Sequence, residues 1–421
     1  MNFPAKPQQK KNIYLDYAAT TPTDSRVVEV MIPFFTEKFA NPSALYAASR
    51  EVNGFLNDAR RSVASILHTL PDTIFFTSGG TESDNLAILG TARAHAKSGK
   101  HIITSEIEHH AVLHACHELE KEGFDVTYLK PDSQGFISPK KVTAALKPDT
   151  ILVTIMLANN EIGTVEPIAE IGKEILKWRK SNATMHPFFH TDACQAGGVL
   201  DLDIEKLHVD LLTLNGGKIY GPKGVGILFK RRNVSVKPLL VGGGQETRVR
   251  AGTENMPAIV GFAKALELVQ ENRQDENMRL IDLRNYFWSQ LEKNIPRIRL
   301  NGADLAGNEM SRLPNNLNIS ILDIEGEALL LYLDEYGIMC STGSACTSES
   351  LDPSHVLLSI GLPYEYAHGS LRFTLGKRTT KDDIDYVITY LPSIVEKLRE
   401  ISPVNLQVNP QVNTHPKYHQ R

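Results

Sequence analysis

The sequence predicts an α/β fold: a large domain on a mostly parallel central sheet, joined to a smaller α+β domain. Three observations lead there. From about residue 12 to 255, short apolar runs alternate with longer stretches of helical periodicity. In order they read IYL, TIFF, HIIT, VTYL, ILVTIML, PFFH, LLTL and GILF, the rhythm of strands joined by crossover helices. That rhythm stops after MPAIV, where Ile259, Phe262, Leu266 and Val269, then Ile281, Phe287 and Leu291, keep a long helical spacing. Beyond it stand the alternating NNLNISIL, the run LRFTL and a closing helix with Ile384, Val387, Leu391, Val395 and Leu398. With 421 residues and 42% hydrophobic content, the chain can fill two cores. The expected division is a loose N-terminal tail over 1–12, a large domain over 13–257, a small domain over 258–402 and a C-terminal tail over 403–421.

Charge and composition narrow the function. Net charge is −4 and no basic stripe is present, so no nucleic-acid partner is expected. No apolar run approaches the roughly 20 residues of a membrane helix, and MNFPAKPQQKK lacks the apolar stretch of a secretory signal. The protein is expected to be soluble and cytoplasmic, with no membrane partner. Its cysteines, Cys116, Cys194, Cys340 and Cys346, suit free thiols better than a disulfide framework.

In such a sheet, ligands sit beyond the carboxyl ends of the strands, so the residues after each run are where chemistry is expected. TIFFTSGGTESDNLAI passes from a strand through two glycines into a helix, with Gly80 and Thr81 at its start. Glycines let N–H groups approach an oxyanion and the helix start favours one. The stretch fits a phosphate cup or an ordinary capped turn, and it lacks a Walker lysine. PFFHTDACQAGG ends a strand with Asp192, followed by Gln195. A strand-end carboxylate suits the partner of a protonated pyridine nitrogen, and equally a helix N-cap.

NGGKIYGPKG sets Lys218 behind Gly216 and Gly217. An amine that captures a carbonyl needs open access and a removable proton, although a solvated turn lysine has the same neighbours. Lys223, between Pro222 and Gly224, reads as structural. In EIEHHAVLHACHELE, His110 and His114 stand four apart on a helix, but no carboxylate or paired cysteine completes a metal pattern. No metal is expected. His109, just after a strand, is better placed to face a ligand. Small residues around Cys346 in GIMCSTGSACTSESLDPSHVL predict a mobile loop over 340–352. There a thiol can serve as a nucleophile, or the segment is a linker with an incidental cysteine. Cys340, beside the apolar GIM, reads as packing.

Together these stretches resemble the pyridoxal-phosphate-dependent cysteine desulfurases of the NifS/IscS type. The match runs in family order through YLDYAATTP, FTSGGTESDNLAI, EHHAVL, ANNEIGTVEPI, TDACQA, GKIYGPKGVG, GGGQE, RAGT, STGSACTS and LRFTLG, from Ile13 to about Ser402. The resemblance implies a class V aminotransferase of fold type I, a homodimer, pyridoxal 5'-phosphate, and conversion of L-cysteine to L-alanine. It implies that Lys218 holds the cofactor and moves protons, Asp192 pairs with the ring nitrogen, Gln195 bonds the ring hydroxyl and His109 stacks on the ring. Gly80 and Thr81 match the phosphate cup, with Thr253 arriving from the partner subunit. Asn160 and Arg372 match the residues that hold the substrate carboxylate. Cys346 matches the nucleophile that takes sulfur as a persulfide and passes it to an acceptor protein, for iron–sulfur cluster assembly or tRNA thiolation.

The departures cluster at the cofactor. Where the family has Ser-x-His-Lys, this chain has Asn215 and Gly217 before Lys218; Asn215 can still donate a hydrogen bond and the Gly217 N–H remains as a phosphate donor. Ala47 stands where a histidine is common, and Thr247 takes an arginine's usual place. Two other readings follow: a cysteine or selenocysteine lyase needing no protein thiol, and a catalytically weakened paralogue acting as a sulfur-transfer partner.

Overall fold

The computed structural model describes residues 3–7, 10–305, 311–342 and 353–401. Cys346 and the expected C-terminal tail lie outside the described residues. The strands in chain order are β1 (Ile13–Tyr14), β2 (Ile74–Thr77), β3 (His101–Ser105), β4 (Asp125–Leu129), β5 (Thr150–Thr154), β6 (Phe188–Asp192), β7 (Leu211–Asn215), β8 (Gly226–Lys230), β9 (Ile298–Leu300), β10 (Asn316–Ile321), β11 (Ile338–Met339) and β12 (Ser370–Thr374).

Seven strands form one sheet in the order β2-β8-β7-β6-β5-β3-β4. The pairs β7/β6, β6/β5, β5/β3 and β3/β4 are parallel, while β8 runs antiparallel to both β7 and β2. Every residue of β3, β5 and β6 is buried, because helices cover both faces of a parallel sheet. Side chains alternate between those faces. Phe189, Leu212 and Phe229 therefore pack under the helices Ala47–Ile66 and Met256–Glu271, and Phe188, Leu211 and Leu228 pack on the other side with Val112 and Leu119 of the helix His110–Lys121.

A second core gathers on the antiparallel sheet β12-β10-β9. Leu280, Phe287 and Leu291 of the helix Arg273–Asn294 meet Leu317, Ile319, Leu371 and Phe373, and Ile384, Val387 and Leu391 of the helix Lys381–Ile401 close it. Truncating one such buried leucine costs about 2–5 kcal/mol.

The packing divides the chain differently from the sequence expectation of a break between 257 and 258. The helix Met256–Glu271 is apolar over most of its surface and buries Ile259, Phe262, Leu266 and Val269 in the first core, so the cores part at Asn272. Ile13 and Leu15 belong to the second core, because β1 pairs in parallel with β11. Nor is the segment before Ile13 loose where it is described: Phe3 stacks on Tyr332 at 4.2 Å, and the Tyr336 hydroxyl donates to Pro4 O at 2.6 Å. Among the described residues, no helix is long and apolar enough to cross a membrane.

Candidate active site

The lysine turn begins where β7 ends. Asn215 is extended, and its Oδ1 accepts from the Gly217 N–H at 3.0 Å, capping the short turn Gly216–Lys218. Gly216 is required there, since a Cβ would come within 2.7 Å of Pro222 O. Gly217 is not: a Cβ would meet nothing nearer than 3.5 Å. The histidine missing at 217 is therefore a side-chain difference that the backbone does not impose. The Gly217 N–H, expected from the sequence to be a phosphate donor, donates to Asn215 Oδ1 in this structure.

Lys218 reaches a strap formed by residues 15–22, which turns at 17–19. Its Nζ donates to Ala18 O at 2.7 Å and Ala19 O at 2.5 Å, and Gln195 Nε2 donates to the same Ala18 O at 3.0 Å. Thr21 fastens the strap: its N–H donates to Gly217 O at 2.9 Å and its Oγ1 accepts from the Tyr220 N–H at 2.8 Å. Lys223 Nζ donates to Thr21 O, in keeping with its structural reading.

The neighbouring strand brings Asp192 to the same mouth, 8% exposed, with Oδ1 accepting from Cys194 N at 2.9 Å. Behind it the sheet interior holds further titratable groups. Burial pushes the Asp84 carboxyl well above its usual range, and the nearby Asp192 adds to that. Burial also pushes His190 down to about 4. His190 is held neutral between the Thr154 and Thr213 hydroxyls, at 2.9 and 3.1 Å. His109 caps the helix His110–Lys121 by accepting from Ala111 N at Nδ1. Burial lowers its ring pKa; Asp192 opposes this and Lys218 reinforces it, so all three share one electrostatic neighbourhood.

Gly80 opens the helix after β2, and a Cβ on it would fall 2.8 Å from Cys194 Sγ and 3.5 Å from Asn215 Nδ2. The first N–H groups of a helix have no intrahelical partner, so Gly80 and Thr81 form a cradle beside the Asn215 amide. Thr253 lines a separate cavity with Ser78, Gly224 and Arg250, and Arg250 is tied to Glu82 at 2.9 Å. Cradle, strand-end carboxylate and strap-held lysine have the chemistry that pyridoxal 5'-phosphate requires: anion donors, an acceptor for a protonated ring nitrogen, and a primary amine.

The opposite wall comes from the second core. Arg372 on β12 is 3% exposed; Nη1 donates to Asn160 O at 3.0 Å and Nη2 to Asp16 Oδ1 at 2.8 Å, while buried Nε has no partner. Ser341 bridges to Arg372, Ser354 Oγ donates to Glu161, and the His355 ring meets Glu108 O at 3.0 Å. The described residues on either side of 343–352 thus both sit at the site. Burial pushes Glu161 up to about 7 against the pull of Ser354 and Arg372, and pushes Glu108 up to about 8. The sequence reading missed Asp16, Glu108 and Glu161. All three lay inside quoted motifs, yet nothing local distinguishes them from surface acids.

His110, His114 and His355 form a run of ring contacts, at 5.2 and 4.9 Å. Among the described residues, no group of three or more His, Cys, Asp and Glu side chains is arranged to hold a metal ion.

Comparison with known proteins follows the same outline. A family model described as Aminotransferase class-V matches residues 13–387. A protein named cysteine desulfurase IscS from Clostridium botulinum is 53% identical over 395 residues, covering 94% of this chain and 97% of the relative. One of the same name from Dictyoglomus turgidum is 50% identical over 394 residues, with 94% and 97% covered. A solved structure titled NIFS-LIKE PROTEIN has a TM-score of 0.84 at 35% identity, covering 92% of this chain and 100% of its own. Another, titled SspA in complex with cysteine, has a TM-score of 0.75 at 37% identity, covering 87% and 99%. Since the matched region spans both walls of the site, the chain belongs to the class-V aminotransferase family, among its cysteine desulfurases.

Proposed function

We infer that the protein is a pyridoxal-phosphate-dependent cysteine desulfurase that converts L-cysteine to L-alanine and passes the sulfur to an acceptor protein. The observation that carries this reading is the convergence of Lys218, Gln195 and Arg372 on one strap, with Asp192 beside them. Relatives named cysteine desulfurase at 50–53% identity, and a structural neighbour titled as a complex with cysteine, support the substrate.

When bound, the cofactor supplies an electron sink that acidifies the substrate's α-carbon and frees its sulfur for attack. Around it the chain's own groups divide the work. Lys218 Nζ would hold the cofactor and move the proton at Cα, Asp192 would keep the ring nitrogen protonated, and Gln195 would bond the ring hydroxyl. His109 would lie against the ring as a neutral imidazole. Gly80, Thr81 and the Asn215 amide would bind the phosphate, joined by Thr253 of a second copy. The guanidinium of Arg372, with Asn160, would take the α-carboxylate, for which a planar fork suits better than a lysine. Cys346 would accept sulfur as a persulfide once deprotonated, and its small-residue segment would carry it to an iron–sulfur or tRNA-thiolation acceptor.

A homodimer in the cytoplasm fits this reading. Phe35, Phe39, Leu45 and Tyr46 expose 57–89% of their surface within one stretch of chain, apolar side chains of the kind that subunit contacts cover. Light scattering of the purified protein is expected to give twice the 46.7 kDa chain mass. The decisive experiment follows sulfide and alanine from L-cysteine. Cys346→Ala is expected to lose sulfur delivery, whereas full activity in that variant would favour a lyase that needs no protein thiol. A wild-type protein that binds no pyridoxal phosphate would favour the weakened paralogue.

A further inference from the structure

Arg372 is fixed by one carboxylate that neither the reaction nor the cofactor explains. Asp16 Oδ1 takes Nη2 at 2.8 Å, with the two side chains only 4% and 19% exposed. Asp16 itself is immobilised: its carbonyl accepts from the Tyr14 hydroxyl at 2.9 Å, its backbone bridges to Thr374, and Ala18 N donates to Thr374 Oγ1 at 2.9 Å. Arg372 Nε remains buried without a partner. An unmet buried donor on a charged group is costly, and Nε with Nη2 forms one edge of the fork that binds carboxylates in pairs of hydrogen bonds.

We propose that Asp16 is a positioning residue for substrate recognition: its ion pair holds the Arg372 fork so that the Nε donor is kept for the substrate's α-carboxylate. Two residues further along the same strap, Ala18 O holds Lys218 and Gln195. The strap therefore fixes the separation between the group that reads the carboxylate and the amine that works at the adjacent carbon. That separation selects α-amino acids over amines without a carboxylate. If Asp16 were instead a competing anion occupying the fork, removing it would tighten substrate binding, so the two roles predict opposite signs.

The proposal rests on the desulfurase reading above, and the experiment separates the two. In holoenzyme, binding of L-alanine and of ethylamine, which lacks the carboxylate, is titrated through the cofactor's absorbance, alongside KM and kcat for L-cysteine. Asp16→Ala is expected to raise KM and the L-alanine dissociation constant about tenfold or more. Ethylamine binding and kcat should stay near wild type, while the thermal midpoint should fall because Arg372 Nη2 loses its buried partner. Asp16→Asn, which retains an oxygen acceptor, should recover most of the affinity. Unchanged or tighter L-alanine binding in Asp16→Ala overturns the proposal, as does an equal loss for L-alanine and ethylamine. Should Asp16→Ala fail to fold, Asp16→Ser against Asp16→Asn makes the same comparison. A wild type whose absorbance ignores L-alanine would sink the desulfurase reading itself.

Discussion

The two walls of the site are built by different means. On the sheet wall, Asp192 and Lys218 sit at the ends of adjacent parallel strands, β6 and β7, and the turn after each strand aims its side chain. On the opposite wall, Arg372 comes from a short antiparallel sheet and is held by Asp16, 356 residues earlier in the chain. One wall follows from local strand-and-turn chemistry, whereas the other exists only after distant segments meet. The strap of residues 15–22 hydrogen-bonds to the functional side chains of both, Lys218 on one and Arg372 on the other. A change in the sheet wall should therefore alter chemistry or cofactor binding, and a change in the other wall should alter substrate affinity.

The largest expected effect lies on the sheet wall. Lys218→Ala should lower kcat about 10²–10⁴-fold or more, as loss of a positioned proton carrier does, and should abolish the visible band of covalently held cofactor. Next comes Arg372→Ala, expected to raise KM about 10–100-fold through the loss of charge-assisted hydrogen bonds, with cofactor content unchanged. If Arg372→Ala instead empties the protein of cofactor, the division between the walls is wrong. Asn215→Ala removes the cap of the lysine turn, worth about 1 kcal/mol. It should weaken cofactor affinity severalfold, measured by dialysis and reconstitution, while KM for L-cysteine hardly moves.

The smallest effect is a change in pH dependence. Burial raises the folded pKa of Glu161 from 4.5 to about 7, so the folded protein holds this proton more tightly than the unfolded chain does. The stability associated with that proton is complete below pH 4.5 and is lost as pH rises through 7. Glu161→Gln should therefore gain stability relative to wild type across that interval, measured by urea unfolding at several pH values. A constant difference between the two proteins would contradict the shift.

Much of the sheet wall was legible in the sequence, because its cues are local. A buried apolar run followed by glycines or an acid announces a strand end, and TIFF, PFFH, LLTL and GILF all fall on strands of the central sheet. The role of Asn215 as a turn cap was not legible, since the same side chain serves equally as a phosphate donor until its geometry is known. The second wall escaped for another reason. The run IYL reads like any other strand, and nothing in it says that it pairs with β11 rather than joining the main sheet. Met256–Glu271 reads as the start of the small domain because its helical spacing continues into the next helix, while its burial depends on a partner helix some 200 residues earlier. Asp16 carries no local mark either, since its importance comes entirely from Arg372.

That separation also orders events in time. At about 5–20 residues per second, the ribosome needs roughly 20–70 s to travel from Asp16 to Arg372, so the strap waits that long for its partner. The central sheet, complete by Lys230, is available to fold much earlier. A nascent chain stopped before β12 would carry its lysine turn with no fixed guanidinium across from it. Protease digestion of chains ending before and after residue 374 would then show the strap cleaved in the first and protected in the second.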